Sequence, residues 1–496
     1  MPSFSVQKRT QPEPVRRKRR PRIRSRRTTM LKSAVWIVFG SILLTGCAAT
    51  PDYEARQAAN ARYLDSLEFD VQPAGANTLA WWRDYQDTQL NQLVEVAQTA
   101  NLDLLATRQR VRRAIADLGA DESRLLPQGE VVVDYDATDR NSVQETASVG
   151  LSASWELDLF GRLRALVDAG EANLEVALNN QRAMLKEVTV GVVRAYIEWV
   201  AARQRVQLIK EDIRTLENTR KVMALRVHEG LSPDLDLARA DTLLEQQRAK
   251  LPDARAQLYR AKAVLSVLVN EDPETLTLRP ASGVLAVSVG VPGANRANEA
   301  MQRRADIGGA LATLAKDVAQ GNALRAELYP QVSVEGFLGV TDVAGQSDGF
   351  ESTASIAPRI SWSLLSYPVI MQRVDSQNEV SEESYIRYRQ TIIKAVASAR
   401  VAVFDYGRAV EADRAAGRAF EAANQSFSIA STMHGEGAIG YLDLLDANRT
   451  FISAQQDRLL ARLMRANAQL EVLAEFSGVW SSAIHQKLLI EQSSGS

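Results

Sequence analysis

The sequence predicts a mainly α-helical fold with a small membrane β component, built as two copies of one unit. Three observations carry this. The chain repeats itself: Glu229-Gly230-Leu231-Ser232-Pro233-Asp234-Leu235-Asp236 returns as Glu436-Gly437-Ala438-Ile439-Gly440-Tyr441-Leu442-Asp443, an offset of 207 residues. Trp155 matches Trp362 at that offset, while Asp103 with Asp306 and Pro127-Gln128 with Pro330-Gln331 lie 203 apart. Next, residues 163 to 229 hold no proline and little glycine, and apolar residues recur there every seven positions. Finally, each half carries two alternating segments that read as strands but have no soluble sheet to join. Long repetition in register means two structural units of one design.

Ahead of the repeats, Ala34 to Leu44 is an apolar run of 11 residues preceded by Lys32. It is too short to span a bilayer and fits a signal-peptide core. Leu44-Thr45-Gly46-Cys47 is lipobox-like, so cleavage before Cys47 and acylation (palmitate) of that residue are expected, and Ala48 in place of Asp is similar to lipoproteins sent to the outer membrane. Cys47 is the only cysteine, which excludes an intramolecular disulfide. Residues 8 to 27 carry eleven Lys and Arg. They read as an extended signal n-region, or as sequence upstream of a start at Met30, in preference to a nucleic-acid-binding tail. Removing residues 1 to 46 leaves 47 basic and 59 acidic groups, a net charge near −12, with no basic footprint for nucleic acid.

The first unit opens with a helical stretch from about Asp84 to Arg124, closed by Leu125-Leu126-Pro127-Gln128, because proline is tolerated where a new element begins. Two strands follow, Glu130 to Tyr135 and Thr146 to Trp155, alternating apolar with small or polar residues. Asp136 to Glu145 reads as their loop. The second unit repeats this with Gln331 to Val340, a Gly/Asp/Ser loop and Ser352 to Trp362. The boundaries expected are 1–46 basic extension and signal; 47–80 lipidated segment; 81–270 first repeat, strands about 129–157; 271–298 equatorial linker; 299–480 second repeat, strands about 331–364; and 481–496 tail.

The long helix from Leu163 to Glu229 would reach roughly 100 Å and needs other long helices to bury it. Leu185, Val192, Trp199, Val206 and Ile213 recur every seven residues, and Val188, Ala195, Ala202, Ile209, Leu216 and Met223 form a second series three positions on. That is an a/d coiled-coil seam with left-handed supercoiling. In the second unit, Ala395, Ala402, Ala409, Ala416, Ala423 and Ala430 fill one series, and Ile392, Ala399, Tyr406, Phe420 and Phe427 most of the other, with Asp413 as the exception. If the strands lie in a membrane, their backbone bonds must close within a barrel. Four strands cannot close one, whereas two chains supply eight and three supply twelve, so the chain must oligomerise.

These residues resemble the outer membrane factor family, the TolC-like, NodT-type channels of bacterial export, and most closely the lipoprotein branch serving multidrug efflux pumps. The resemblance is carried by Trp81-Trp82-Arg83-Asp84-Tyr85, Asn101-Leu102-Asp103-Leu104, Trp155-Glu156-Leu157-Asp158-Leu159-Phe160-Gly161-Arg162, Arg303-Arg304-Ala305-Asp306-Ile307 and Tyr441-Leu442-Asp443-Leu444-Leu445-Asp446-Ala447-Asn448-Arg449. It implies a homotrimer with a twelve-stranded barrel in outer-membrane lipid and an α-barrel in the periplasm. It further implies a periplasmic adaptor and an RND-type inner-membrane pump as partners, with no nucleic acid and no cofactor. Ser366-Tyr367-Pro368 stands where many relatives carry a Gly-Gly turn, so the second strand-to-helix junction is expected to differ, and the arginine and tyrosine that latch the archetype's tip are absent near Ile439 and His434.

In such a trimer Asp443 and Asp446, three apart on a helix face, become six carboxylates around an axial pore that attracts cations. Leu442 supplies an apolar constriction, and Arg449 is expected to pair with Asp446, Asp234 or Asp236 and hold the tip shut. Gly230 and Gly437 take the hairpin turns. The plainer reading leaves these acids as solvated helix-start residues favoured by the helix dipole. His228, His434 and His485 lack metal-ligand partners at helical spacing, and no phosphate-binding loop is present, so neither an enzyme nor a metal site is expected. The reading is a passive exit duct. The alternative is a lipidated periplasmic adaptor, which would have one helical hairpin and lipoyl-like β domains.

Overall fold

Two helical hairpins hang from one four-stranded sheet. The computed structural model describes residues 80–139, 143–279, 283–285, 301–343 and 349–476, and a few positions between 56 and 62. The chain divides into two units, Met1–Ala59 and Asn60–Ser496, and both repeats lie wholly within the second. Cys47, the signal segment, most of residues 47–80, much of the 271–298 linker and the 481–496 tail lie outside the described residues.

The first repeat comprises a 3-10 turn at Trp81–Tyr85, α1 (Thr88–Ala100), α2 (Leu102–Ser123), β1 (Gln128–Asp139), β2 (Val143–Leu157), α3 (Arg162–His228) and α4 (Asp234–Val269). The second comprises α5 (Ala305–Ala326), β3 (Gln331–Val343), β4 (Glu351–Ser361), a 3-10 turn at Leu364–Ser366, α6 (Tyr367–Gly435) and α7 (Tyr441–Phe476). The long helices hold 67 and 69 residues, and both return helices hold 36.

Two expectations are corrected. The single helix from Asp84 to Arg124 is broken at Asn101, whose Oδ1 accepts from Leu104 N–H and whose Nδ2 donates to Leu268 C=O at 3.0 Å. An Asn that caps the next helix ends the one before it. The first hairpin loop is also far shorter than Asp136–Glu145: β1 runs to Asp139 and β2 begins at Val143. The strands continue through a polar stretch because only one sheet face needs to be apolar.

The two strand pairs are not separate. β2 pairs with β3 antiparallel, giving the order β1-β2-β3-β4. Directly paired residues share a face, so the register sorts the side chains. One face holds Val131, Leu151, Leu338 and Ala354 in one row and Val133, Val149 and Val340 in another. The opposite face holds Glu130, Ser152, Phe337 and Ser355, then Glu156, Ser333 and Arg359. Phe337 lies across Gly150 and Gly339, where a β-carbon would come 2.7 and 2.8 Å from its ring. Glycine there lets the aromatic ring lie flat on the sheet.

The heptad seam is buried: Val188, Val192, Ala195, Trp199, Val206, Ile209, Leu216 and Met223 are all interior. So are Ile392, Ala395, Ala399, Ala402, Ala409, Ala423 and Ala430 in the second hairpin. The exception, Asp413, is explained by Arg465 of α7, whose Nε lies 2.9 Å from its carboxylate. Between sheet and tips, Trp81, Trp82 and Tyr85 join α3 residues and the ends of α4 and α7 in the largest core.

Candidate functional site

The site has two ends, the sheet-to-helix junctions and the hairpin tips. At the junctions each repeat uses one device. Trp155 Nε1 donates to Leu125 C=O at 2.9 Å, and Trp362 Nε1 donates to Leu328 C=O at 3.0 Å. Each indole thus ties the end of a strand to the turn that precedes the hairpin. The first junction then turns through Gly161 at φ +76°, with Asp158 accepting from Leu163 N–H and Arg164 N–H and Glu156 held in a fork by Arg162. A carboxylate capping two orphan amides fixes where α3 starts. The second junction uses the Leu364–Ser366 turn, with Pro368 in the first turn of α6 and no side-chain cap. The two junctions of the chain thus differ, one turning through Gly161 and the other through Ser366-Tyr367-Pro368.

At the tips, Gly230 (φ +70°) and Gly437 (φ +76°) close identical turns. Leu231 N–H reaches Arg226 C=O and Gly230 N–H reaches Val227 C=O. Likewise Ala438 N–H reaches Met433 C=O and Gly437 N–H reaches His434 C=O. These are Schellman pairs, which need a left-handed residue at the glycine position. One apolar cluster joins the two hairpins, drawing Leu216 and Met223 from α3, Leu243 and Leu244 from α4, and Tyr441, Leu444, Leu445 and Ile452 from α7.

On this frame Leu442, Asp443, Asp446 and Arg449 are all exposed on α7, and Asp234 is exposed at the start of α4. They form no closed latch within the chain. Asp236 is half-buried and pairs with Arg239 of its own helix at 3.2 Å. Arg449 has no carboxylate within ion-pair distance among the described residues of this one chain. Asp236 and Arg449 instead act in opposite senses on the buried Tyr441 hydroxyl, which burial, with Asp236 and Asp241, pushes up.

The expected absence of an arginine and a tyrosine near Ile439 and His434 is corrected: Tyr441 packs its ring 5.9 Å from that of His434, and Arg226 of the other hairpin reaches the same histidine, a link not read from the sequence. Arg226 Nη1 lies 2.9 Å from His434 Nε2, and His434 Nδ1 lies 3.2 Å from Ile439 C=O. A carbonyl only accepts, so Nδ1 carries the proton and Nε2 accepts from the guanidinium. The signal was a histidine and an arginine close to two equivalent turns. No group of His, Cys, Asp and Glu among the described residues is disposed to hold a metal. No described helix is long and apolar enough to cross a membrane.

A family model described as outer membrane efflux protein matches residues 93–271 and 297–475, one match per repeat. The chain is 26% identical over 478 residues to the toluene efflux pump outer membrane protein TtgF of Pseudomonas putida, covering 90% of this chain and 97% of that one. It is 24% identical over 467 residues to the pyoverdine export outer membrane protein OpmQ of Pseudomonas aeruginosa, at the same coverage. Among solved structures, the outer-membrane channel OprN superposes with a TM-score of 0.76 at 26% identity, covering 84% of this chain and 98% of that one. The open state of the Neisseria gonorrhoeae MtrE outer membrane channel gives 0.74 at 22% identity, over 84% and 96%. The adaptor alternative is thereby overturned: two hairpins on a shared sheet and a match to each repeat are not an adaptor's single hairpin. The chain belongs to the outer membrane efflux protein family.

Proposed function

We propose that three copies of this chain form the outer-membrane exit duct of a tripartite efflux system. The observation that carries this is the sheet. Its four strands have 12, 15, 13 and 11 residues, long enough to cross a bilayer when tilted. One face is apolar and exposed, with Val133 at 75% and Ile356 at 81%. Its edges, β1 and β4, are unpaired among the described residues. Lipid tolerates no open edge, so β4 of one copy must meet β1 of the next until a barrel closes. The opposite face, with Glu130, Asp134, Glu156 and the Glu335–Arg359 pair, then lines a wet lumen.

The helices continue the duct into the periplasm, and the tips meet an adaptor bound to an inner-membrane pump, of RND type by family likeness. Lipidation at Cys47 anchors the chain to the outer membrane. Leu442, Asp443, Asp446 and Arg449, left exposed within one chain, face other copies at the tip and gate it, with Asp234 and Asp236 on the partner hairpin. One relative is named for toluene and another for pyoverdine, so the frame serves unlike cargo and the pump selects it. The test is assembly. Purified from outer-membrane fractions in mild detergent, the protein should migrate as a heat-modifiable trimer, and cysteines placed on β1 and β4 should cross-link between copies. A stable monomer that still conducts ions overturns the proposal. Asp443→Asn with Asp446→Asn should weaken cation preference in planar bilayers, and unchanged single-channel selectivity removes the gate assignment.

A further inference from the structure

Midway down the helices, a cavity of about 360 Å³ opens between α3 and α7, with Phe420 of α6 in its wall. It lies 17 residues into α7, roughly 25 Å from the hairpin turn, and so is separate from the tip. Two arginines dominate its charge. Arg458 and Arg462 both line it, one turn apart on the same helix, and neither has a carboxylate within ion-pair distance among the described residues. Like charges four apart destabilise a helix, so nothing in helix formation asks for them. Three other arginines between packed helices are paired with acids: Arg194 with Glu471, Arg248 with Glu217 and, one turn beyond the cavity, Arg465 with Asp413. Glu211 is the only acid in the cavity wall, and it accepts from Gln207 at 3.1 Å.

The groups are also underused. The Arg458 guanidinium stacks over the Phe420 ring at 4.7 Å. Its buried Nε donates to nothing, and neighbouring Gln455 Oε1, also buried, accepts nothing. Burial, and then the like charge of Arg458, lower the Arg462 pKa against the pull of Asp413. Leu208 and Leu459 complete an apolar wall beside the arginines.

We infer that this cavity binds a small organic anion, a carboxylate or phosphate monoester with an apolar body. The head takes the guanidinium forks of Arg458 and Arg462, and the body lies on Phe420, Leu208 and Leu459. Arginine forks suit two-oxygen anionic heads, and a pocket of this volume suits one ring and its substituent. The residues that line it all come from one chain.

The experiment is calorimetric titration of the full-length protein in a nonionic detergent. The probes are phenyl phosphate, inorganic phosphate and benzyl alcohol. Phenyl phosphate should bind saturably, about tenfold or more tighter than inorganic phosphate because of the buried ring. Benzyl alcohol should not bind detectably. R458Q/R462Q should weaken phenyl phosphate by about tenfold or more, since charge-assisted bonds are lost, while R83Q, far from the cavity, leaves it unchanged. Q455E supplies an internal carboxylate three residues from Arg458, keeps the helix intact and should also block binding. Equal affinity of phenyl phosphate for wild type and Q455E, equal binding of inorganic phosphate, or the absence of any saturable site each overturns the inference.

Discussion

The two repeats make the same joint with different chemistry. In the first, Asn101 caps α2 and its amide donates to the Leu268 carbonyl near the end of α4. In the second, the equivalent position is Arg304, and the equivalent of Leu268 is Glu475 near the end of α7. Arg304 forks onto Asp306 at 3.0 and 2.9 Å and is ion-paired with Glu475, which also accepts from Ser398 at 2.8 Å. A neutral amide bond in one copy has become a mostly buried charge network in the other. The same exchange recurs lower down. Val206 packs near Leu258 in the first hairpin, and their equivalents are Asp413 and Arg465. Duplication thus preserves the contact and not the residues. It preserves residues only where one geometry has a single solution, as at the Trp155 and Trp362 indoles and the Gly230 and Gly437 turns.

The sharpest way to break this symmetry is at the joint. Arg304→Ala leaves Glu475 buried without its cation and should cost about 3–5 kcal/mol. Asn101→Ala removes a cap and one hydrogen bond and should cost about 1–2 kcal/mol. Thermal unfolding followed by circular dichroism distinguishes them, and equal losses would show that the charge network adds nothing. The joints also differ in pH response. Burial pulls the Asp306 carboxyl up, but the hydrogen bonds and charge of Arg304 outweigh it and hold it below the ordinary range. A depressed acid stabilises above its unfolded pKa, and that stability is lost as pH falls through the folded value. Acid should therefore loosen the second joint, and Arg304→Ala should abolish that acid dependence.

Next in size is the seam exchange. Asp413→Val strands Arg465 opposite an apolar residue and should cost about 2–3 kcal/mol. Adding Arg465→Leu restores the first repeat's solution and should recover most of the loss, because apolar pairs replace buried ion pairs with little penalty. The 2.9 Å approach is poorly aligned for a hydrogen bond, which favours recovery. A double variant as weak as the single one would mean that the second hairpin needs the charges themselves.

A smaller difference runs the other way. Asp212 is buried in the first hairpin, its Oδ2 accepts no hydrogen bond, and burial pushes its pKa up to about 6, against Lys250. The second repeat has Ala419 there. A raised acid contributes stability below its unfolded pKa and loses it as pH rises through about 6. Asp212→Asn should thus stabilise the protein by on the order of 3 kcal/mol near pH 8, by about half as much near pH 5 and by almost nothing near pH 3. A gain that does not depend on pH would assign the effect to packing.

The sequence disclosed the frame better than the joints, for physical reasons. Heptads announce a seam because burial repeats with helix period, so Val192, Trp199 and the Ala395 to Ala430 series were legible. Strand ends were not. β1 continues through Asp136 to Asp139, yet a polar run of this kind reads as a loop when only one face of the sheet is apolar. Asn101 and Arg304 act on residues more than 160 positions away, and no local pattern reveals such a partner. Asp212 reads as a surface acid until its neighbours are known. At the tip, Gly230 and Gly437 were legible from turn chemistry, whereas the Arg226–His434 contact required the two hairpins to be placed side by side.

The smallest effect tests whether the preserved positions are equivalent. Gly230 and Gly437 have φ of +70° and +76°, and nothing lies within 4 Å of a β-carbon placed at either. The cost of alanine is therefore conformational and not steric, about 1 kcal/mol at each turn. Gly230→Ala and Gly437→Ala should lower the melting temperature equally, and the double variant should be additive if the turns are independent. The Arg226–His434 link makes the additivity informative. If the second turn moves when alanine strains it, His434 shifts from Arg226 and the first turn is already loosened. The double loss would then fall short of the sum, and the two repeats would share one tip instead of owning two.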